Sequence, residues 1–154
     1  MSDGSGATAW SYDTMGRNVT EKRTIGSVTK TISSTYNYDG SLATVTYPSG
    51  RVVTYGYNAA AQPVSAIDTA NSINYAKSAT YAPPGELATS VNGQTGTFNG
   101  ITTNYSYSPR LFPTAITASS SNGTALSLSY SFFANGNVNV VTNGRDTGRT
   151  ATYT

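Results

Sequence analysis

The chain has 154 residues, with nine Lys and Arg against seven Asp and Glu, and it contains no His and no Cys. Their absence excludes a Ser-His or Cys-His nucleophile pair, an ordinary zinc site and a disulfide, and the scattered positive charges exclude a basic stripe for nucleic acid. Charged residues make up only 10%, whereas twelve Tyr, four Phe and one Trp bring the aromatics to 11%. We therefore expect one folded, polar β domain or a short repeat array, in which Tyr replaces aliphatic side chains.

The first nine residues differ in composition from the rest. The segment from Met1 to Gly6 is rich in Gly and Ser, and it has neither the basic nor the apolar region of a signal peptide. We expect residues 1–9 to be a flexible linker or an edge segment, and residues 10–154 to form one repeat domain. No apolar run exceeds three residues, which predicts no membrane insertion.

An aromatic-x-aromatic step recurs along the chain. The mean spacing of the second aromatic is 24 residues if the lone Tyr81 is counted as one repeat, a period typical of stacked supersecondary units. Both aromatics of a step lie on one face of a strand. The steps are Trp10-Ser11-Tyr12, Tyr36-Asn37-Tyr38, Tyr55-Gly56-Tyr57, Tyr105-Ser106-Tyr107 and Tyr130-Ser131-Phe132.

Turn-forming residues follow these steps, because Asp and Asn can accept backbone N–H bonds and Gly takes a positive φ. They are Asp13 with Gly16, Asp39 with Gly40, Asn58, and Asn135 with Gly136; Tyr47-Pro48-Ser49-Gly50 predicts a further turn. Asn-Gly pairs at 92–93, 99–100, 122–123, 135–136 and 143–144 each predict a two-residue type I′ turn.

Between the turns, apolar and polar residues alternate over 42–47, 52–57 and 126–132, which predicts strands, and no segment has a sustained helical period. The stretch 68–100, with Tyr81 and Gly85, is predicted to be a divergent repeat with a longer loop. The sequence thus predicts an all-β fold of repeated antiparallel hairpins.

The string Tyr12-Asp13-Thr14-Met15-Gly16-Arg17-Asn18-Val19-Thr20, with Tyr36-Asn37-Tyr38-Asp39 and Tyr47-Pro48-Ser49-Gly50-Arg51 after it, resembles the Rhs/YD-repeat family. The chain departs from the family pattern at Asn58, at Gln62-Pro63 and at Phe133, and we expect altered turn geometry there. The resemblance implies a fragment of about six repeats, whose hairpins form a continuous curved or spiralling sheet.

The resemblance also implies a function. In bacterial Rhs proteins and in the C components of insecticidal toxin complexes, such a sheet forms a shell around a toxic domain, and in teneurins a related shell takes part in adhesion. We therefore expect a structural wall or scaffold segment of a secreted or surface-exposed bacterial protein, with neighbouring repeats of the same or parent chain as partners, no cofactor and no enzymatic activity.

The repeated Tyr side chains leave three interpretations open: core packing between repeats, a carbohydrate-binding surface, and a stacking platform for single-stranded nucleic acid, which lacks the necessary positive groove. Asp13 and Asp39 suggest a glycosidase-like carboxylate pair, but their equivalent places beside a turn favour turn capping. Arg17 and Arg51 each follow a turn Gly and are expected to pair with an Asp or a carbonyl of a neighbouring repeat.

The period places the next second aromatic near position 155, just beyond Tyr153 and Thr154. We expect these two residues to form an assembly edge that pairs with the strand near Trp10 of another copy, giving head-to-tail rings or filaments. The alternative functions are therefore a carbohydrate-binding or adhesive module and a self-assembling extracellular fibre subunit.

Overall fold

A computed structural model describes all 154 residues, which form two compact units, Met1–Ile73 and Asn74–Thr154. The regular structure is β-strand except for one 3₁₀ turn at Thr147–Arg149. The chain has no helix with the length and apolar character of a membrane span. The predicted all-β fold of antiparallel hairpins is confirmed.

In each unit the strands pair antiparallel with their neighbours in chain order. The first unit contains β1 (Ser2–Asp3), β2 (Gly6–Tyr12), β3 (Asn18–Ile25), β4 (Val28–Tyr36), β5 (Leu42–Thr46), β6 (Val52–Tyr57) and β7 (Pro63–Asp68). The second contains β8 (Ile73–Tyr81), which begins at the boundary, β9 (Leu87–Gln94), β10 (Ile101–Tyr107), β11 (Pro113–Ser120), β12 (Gly123–Phe132), β13 (Val138–Asn143) and β14 (Ala151–Thr152).

The two faces of the sheet in the first unit differ in chemistry. Because side chains alternate along a strand, the register assigns residues to faces. One face carries Trp10, Glu21 and Ile32, which lie opposite one another on β2, β3 and β4. The other face carries cross-strand hydroxyl pairs, which are Ser11 with Thr20, Thr24 with Thr29, and Thr35 with Thr44.

Very little of the chain is buried. Only Val53, Asp68, Ser90 and Gly100 are buried, and Val53 is the one buried apolar side chain. An ordinary domain packs a second layer on its sheet and buries a core between the layers. Neither unit has such a second layer. Strand pairing and side-chain contacts at the ends of the strands therefore hold the hairpins together.

The start of the chain is paired β structure. Ser2 and Asp3 pair with Ala7 and Gly6, and the backbone N–H of Thr8 donates to the carbonyl of Met1. The boundary that we expected after residue 9 therefore falls inside β2.

The Asn-Gly pairs do not form two-residue turns, so that prediction is wrong. The pair at 92–93 lies inside β9, and the pair at 135–136 lies within a longer turn. Between β11 and β12 the loop is Ser121-Asn122, because Ser120 pairs with Gly123. The strand register, rather than the dipeptide, decides which residues lie in each loop.

Candidate functional site

One five-residue turn recurs seven times. In each, the N–H of position 1 donates to the carbonyl of position 5, and the N–H of position 4 donates to the carbonyl of position 1. Position 4 has a positive φ in every turn, from 58° at Ala61 to 105° at Gly85. The turns cover residues 13–17, 37–41, 47–51, 58–62, 82–86, 108–112 and 133–137.

The expected changes of geometry at the atypical turns do not occur. The turns that begin at Asn58 and Phe133 make the same two backbone hydrogen bonds as the turn at Asp13. Ala61 and Leu111 adopt the positive φ that Gly adopts in the other five turns. The strand pairing on both sides imposes this conformation on them.

Replacing Ala61 by Gly is expected to raise the free energy of unfolding by about 0.5–1 kcal/mol, because a left-handed backbone costs an L-residue about 1–2 kcal/mol and Gly adopts it freely. Ala60→Gly, in the same turn but without a positive φ, should lower it instead. Urea unfolding of both variants measures the difference, and a stabilising Ala60→Gly would contradict this account.

A side chain of the turn caps the N–H of position 5 in six of the seven turns. The acceptor is at position 1 in three turns (Asp13, Asn58 and Ser108) and at position 3 in the other three (Asp39, Ser49 and Asn135). The exception is 82–86, where position 3 is Pro84, which has no acceptor in its side chain.

These bonds are the structural role of the two acidic candidates. The backbone N–H of Arg17, assisted by its guanidinium and by the N–H of Met15, lowers the pKa of Asp13. The hydroxyl and N–H of Ser41 lower the pKa of Asp39. Both carboxylates therefore act as hydrogen-bond acceptors within separate turns.

Each of six repeats has one aromatic residue at the point where the hairpin register shifts, and we call it the register residue. It pairs with the residue six positions later, and the register shifts at that point in every case. The pairs are Tyr12–Asn18, Tyr36–Leu42, Tyr57–Pro63, Tyr81–Leu87, Tyr107–Pro113 and Phe132–Val138.

In the second repeat, the predicted correspondence of Tyr38 and Asp39 to Tyr12 and Asp13 is wrong. Tyr36, not Tyr38, is its register residue, while Tyr38 is fully exposed at position 2 of the turn. Asp39 is at position 3, so it is not equivalent to Asp13 at position 1. Gly40 fixes the frame, because the Gly at position 4 follows the register aromatic by four residues, as Gly16 follows Tyr12.

Tyrosine hydroxyls connect consecutive repeats. Tyr36 donates to the carbonyl of Asn18 at 2.7 Å, and Asn18 is the residue paired with Tyr12 in the preceding repeat. Tyr57 likewise donates to Leu42, the partner of Tyr36, at 3.0 Å. In the second unit, Tyr107 donates to Leu87, the partner of Tyr81, at 2.8 Å.

Arg17 adds further contacts between the first two repeats. Its Nε lies 2.7 Å from Asp13 Oδ2, its Nη1 donates to the carbonyl of Asn37 at 3.0 Å, and its guanidinium lies 4.8 Å from the centre of the Tyr36 ring. The expected pairing of Arg17 with a neighbouring repeat is therefore present. Its guanidinium also lies over the Tyr36 ring, a cation–π contact that Arg makes better than Lys.

The last two repeats use different residues for the same contact. Arg110 donates to the carbonyl of Ala134 at 3.2 Å, and its guanidinium lies 5.7 Å from the Phe112 ring. Phe112 in turn packs against Phe132, with ring centres 5.0 Å apart. Phe132 has no hydroxyl, so ring packing replaces the hydrogen bond here.

Glu86 occupies position 5 of its turn, the place that Arg17 has in the first turn. One of its carboxylate oxygens is buried without a hydrogen-bond partner. Burial, with the nearby Glu86 charge and Tyr105, raises the pKa of the Tyr107 hydroxyl.

A buried ion pair anchors the turn 47–51. Arg51 Nε lies 3.2 Å from Asp68 Oδ2, and the Asp68 side chain is completely buried. The backbone N–H and the side-chain amide of Asn71 also donate to Asp68. No repeated motif in the sequence marks Asp68, which the β6–β7 register brings to Arg51.

The other predicted residues lie in and beside these elements. Pro48 and Gly50 are at positions 2 and 4 of the turn 47–51. Burial, with a hydrogen bond to Tyr47, raises the pKa of Tyr55. Tyr105 and Tyr130 lie in β10 and β12, and Tyr153 and Thr154 follow β14. The chain has no group of three acidic side chains that could hold a metal ion.

Comparisons with known proteins agree with this arrangement. Residues 34–73 match the family model described as RHS Repeat. The fold is similar to that in the crystal structure of TcdB2-TccC3-Cdc42, with a TM-score of 0.77 and 21% identity, and in that of TcdB2-TccC3 without its hypervariable C-terminal region, with 0.75 and 20%.

A third similar structure is the Tc holotoxin pore of Photorhabdus luminescens, carrying a TccC3 mutation, with a TM-score of 0.74 and 20% identity. In all three comparisons the match covers 92% of this chain but only 8% of the other. Among curated proteins, none matches the chain in sequence.

Proposed function

We propose that this chain, which carries an Rhs repeat over residues 34–73, is a wall segment of a larger β-shell that encloses another part of its parent polypeptide. Two findings support this role: the RHS Repeat match over residues 34–73 and a fold similar to that of the TcdB2-TccC3 structures. The enclosure of a toxic segment and a secreted or surface location belong to the proposal.

The proposal rests on one repeated hydrogen bond, in which a Tyr hydroxyl donates to a backbone carbonyl of the preceding repeat. Because Tyr57 bonds to the partner of Tyr36, and Tyr36 bonds to the partner of Tyr12, the same contact can be repeated for any number of hairpins. A sheet built this way grows by addition and has no core of its own. These are the properties that a wall requires.

The proposal is tested by protease digestion of the parent polypeptide with its flanking segments. We expect the enclosed segment to be cleaved slowly in the wild type, and much faster when Tyr36, Tyr57 and Tyr107 are all replaced by Ala, because the wall then opens. Tyr38→Ala is the matched control, since this side chain is fully exposed. Equal cleavage in the wild type and the triple variant would overturn the proposal.

Head-to-tail self-association is a second candidate. It is favoured by the exposed aromatic side chains at the two ends of the chain, where Trp10, Tyr12 and Tyr153 are 42%, 60% and 51% exposed. The terminal strands, β1 and β14, have two residues each, and so short an edge offers little backbone for pairing. A monomer in light scattering at high concentration would exclude this candidate.

A further inference from the structure

The first unit has a cleft of about 300 Å³ on the face that carries Trp10. Its lining includes Asp3, Trp10, Glu21, Arg23 and Ile25. This volume is at the lower end of the range for small-molecule sites, which combine an apolar surface with a few convergent polar groups. The cleft has no part in the contacts between repeats.

The strand register brings the aromatic and charged groups of the cleft together. Trp10 on β2 lies directly opposite Glu21 on β3, and Arg23 lies two residues further along β3 on the same face. Directly opposite side chains are about 5 Å apart at Cβ, and diagonal ones are still within reach of long side chains. The indole is 42% exposed, so part of its surface is open to a ligand.

The polar groups of this cleft are available. The side chains of Glu21 and Arg23 make no hydrogen bond or ion pair within the chain, and the charge of Arg23 contributes to the lowered pKa of Asp3. Asp3 is held in place, because Ser5 donates to its Oδ1 through both N–H and hydroxyl, and the N–H of Gly6 donates to the same oxygen. The cleft thus offers a carboxylate acceptor and a guanidinium donor beside an exposed indole.

We infer that this cleft binds a neutral hexopyranose sugar. The C–H face of a pyranose ring stacks on an indole, the Glu21 carboxylate accepts from its hydroxyls, and the Arg23 guanidinium donates to its oxygens. The two carboxylates, Asp3 and Glu21, balance the Arg23 guanidinium and the N-terminal ammonium of Met1. The cleft therefore has no excess of positive charge, which binding of phosphate or nucleic acid requires. The inference is independent of the wall function, because it uses none of the contacts between repeats.

The chain contains a single Trp and twelve Tyr, so fluorescence excited at a wavelength that Tyr does not absorb reports on this cleft alone. Titration with maltotriose, cellotriose and triacetylchitotriose is expected to give a saturable change in Trp10 fluorescence with at least one of them. Glu21→Gln and Arg23→Gln should each weaken that binding about tenfold or more, because hydrogen bonds to charged groups are lost.

Lys22→Gln is the matched control, because Lys22 is on the same strand but faces the opposite side, across from Ala9 and Thr31. It should leave the affinity unchanged, and circular dichroism should be the same for all three variants. The inference is overturned if no sugar gives a saturable change, or if Lys22→Gln weakens binding as much as Glu21→Gln. Neither outcome bears on the wall function.

Discussion

Arg51→Met is expected to lower the free energy of unfolding by about 3 kcal/mol, since removing one partner of a buried ion pair leaves the other charge uncompensated. The remaining charge is the Asp68 carboxylate, which is completely buried and would keep only the two donors of Asn71. The Arg51 side chain is 45% exposed, which places the expected cost at the lower end of the range for buried pairs.

Two further variants separate the ion pair from the packing of the Arg51 stem. Adding Asp68→Asn to Arg51→Met should recover part of the loss, because an amide costs less to bury than an unpaired carboxylate. Arg149→Met breaks a pair whose side chains are 80% and 55% exposed, and should cost about 0.5 kcal/mol or less. Equal losses for Arg51→Met and Arg149→Met in urea unfolding would show that burial of Asp68 is unimportant.

Tyr57→Ala is expected to lower the free energy of unfolding by about 3 kcal/mol, near the lower limit for replacing a large aromatic residue by Ala. The ring is half-buried, and its hydroxyl donates to the carbonyl of Leu42. Tyr57→Phe isolates the hydroxyl and should cost about 1 kcal/mol.

The control for this series is Tyr38→Ala, in a turn of the same unit. Tyr38 is fully exposed, and surface substitutions of this kind usually change stability by less than about 0.5 kcal/mol. If Tyr38→Ala costs as much as Tyr57→Ala, the assignment of Tyr57 and Tyr36 as the residues that join repeats is wrong.

The spacing of the hairpins was predictable from the sequence. Which residue of each repeat begins the turn was harder to predict. The segment Tyr36-Asn37-Tyr38-Asp39 contains two Tyr, each followed by a residue that can open a turn. From the pattern alone, either Tyr could correspond to Tyr12 of the first repeat. Only the four-residue spacing from aromatic to the Gly at position 4 distinguishes Tyr36. The Asp or Asn could not show where the turn begins, because a side chain at position 1 or at position 3 can accept from the N–H of position 5.

Other features depend on register and could not be predicted from local sequence. Asp68 and Arg51 are 17 positions apart in sequence, and the β6–β7 pairing brings them into contact. Trp10 meets Glu21 through the β2–β3 pairing, which no motif marks. Ala61 and Leu111 adopt the turn conformation without Gly because the strands on both sides hold it. Turn chemistry is local, but these contacts are made across strands.

Hydrogen exchange of backbone amides in the wild type and in Tyr57→Ala tests most directly whether the hairpins are joined into a wall. Loss of the Tyr57 hydroxyl and ring should raise exchange in β6, which carries the donor, and equally in β5, which carries the acceptor Leu42 and pairs with both β6 and β4. Faster exchange confined to β6, with β5 as protected as in the wild type, would mean that the Tyr57 contact does not join consecutive repeats.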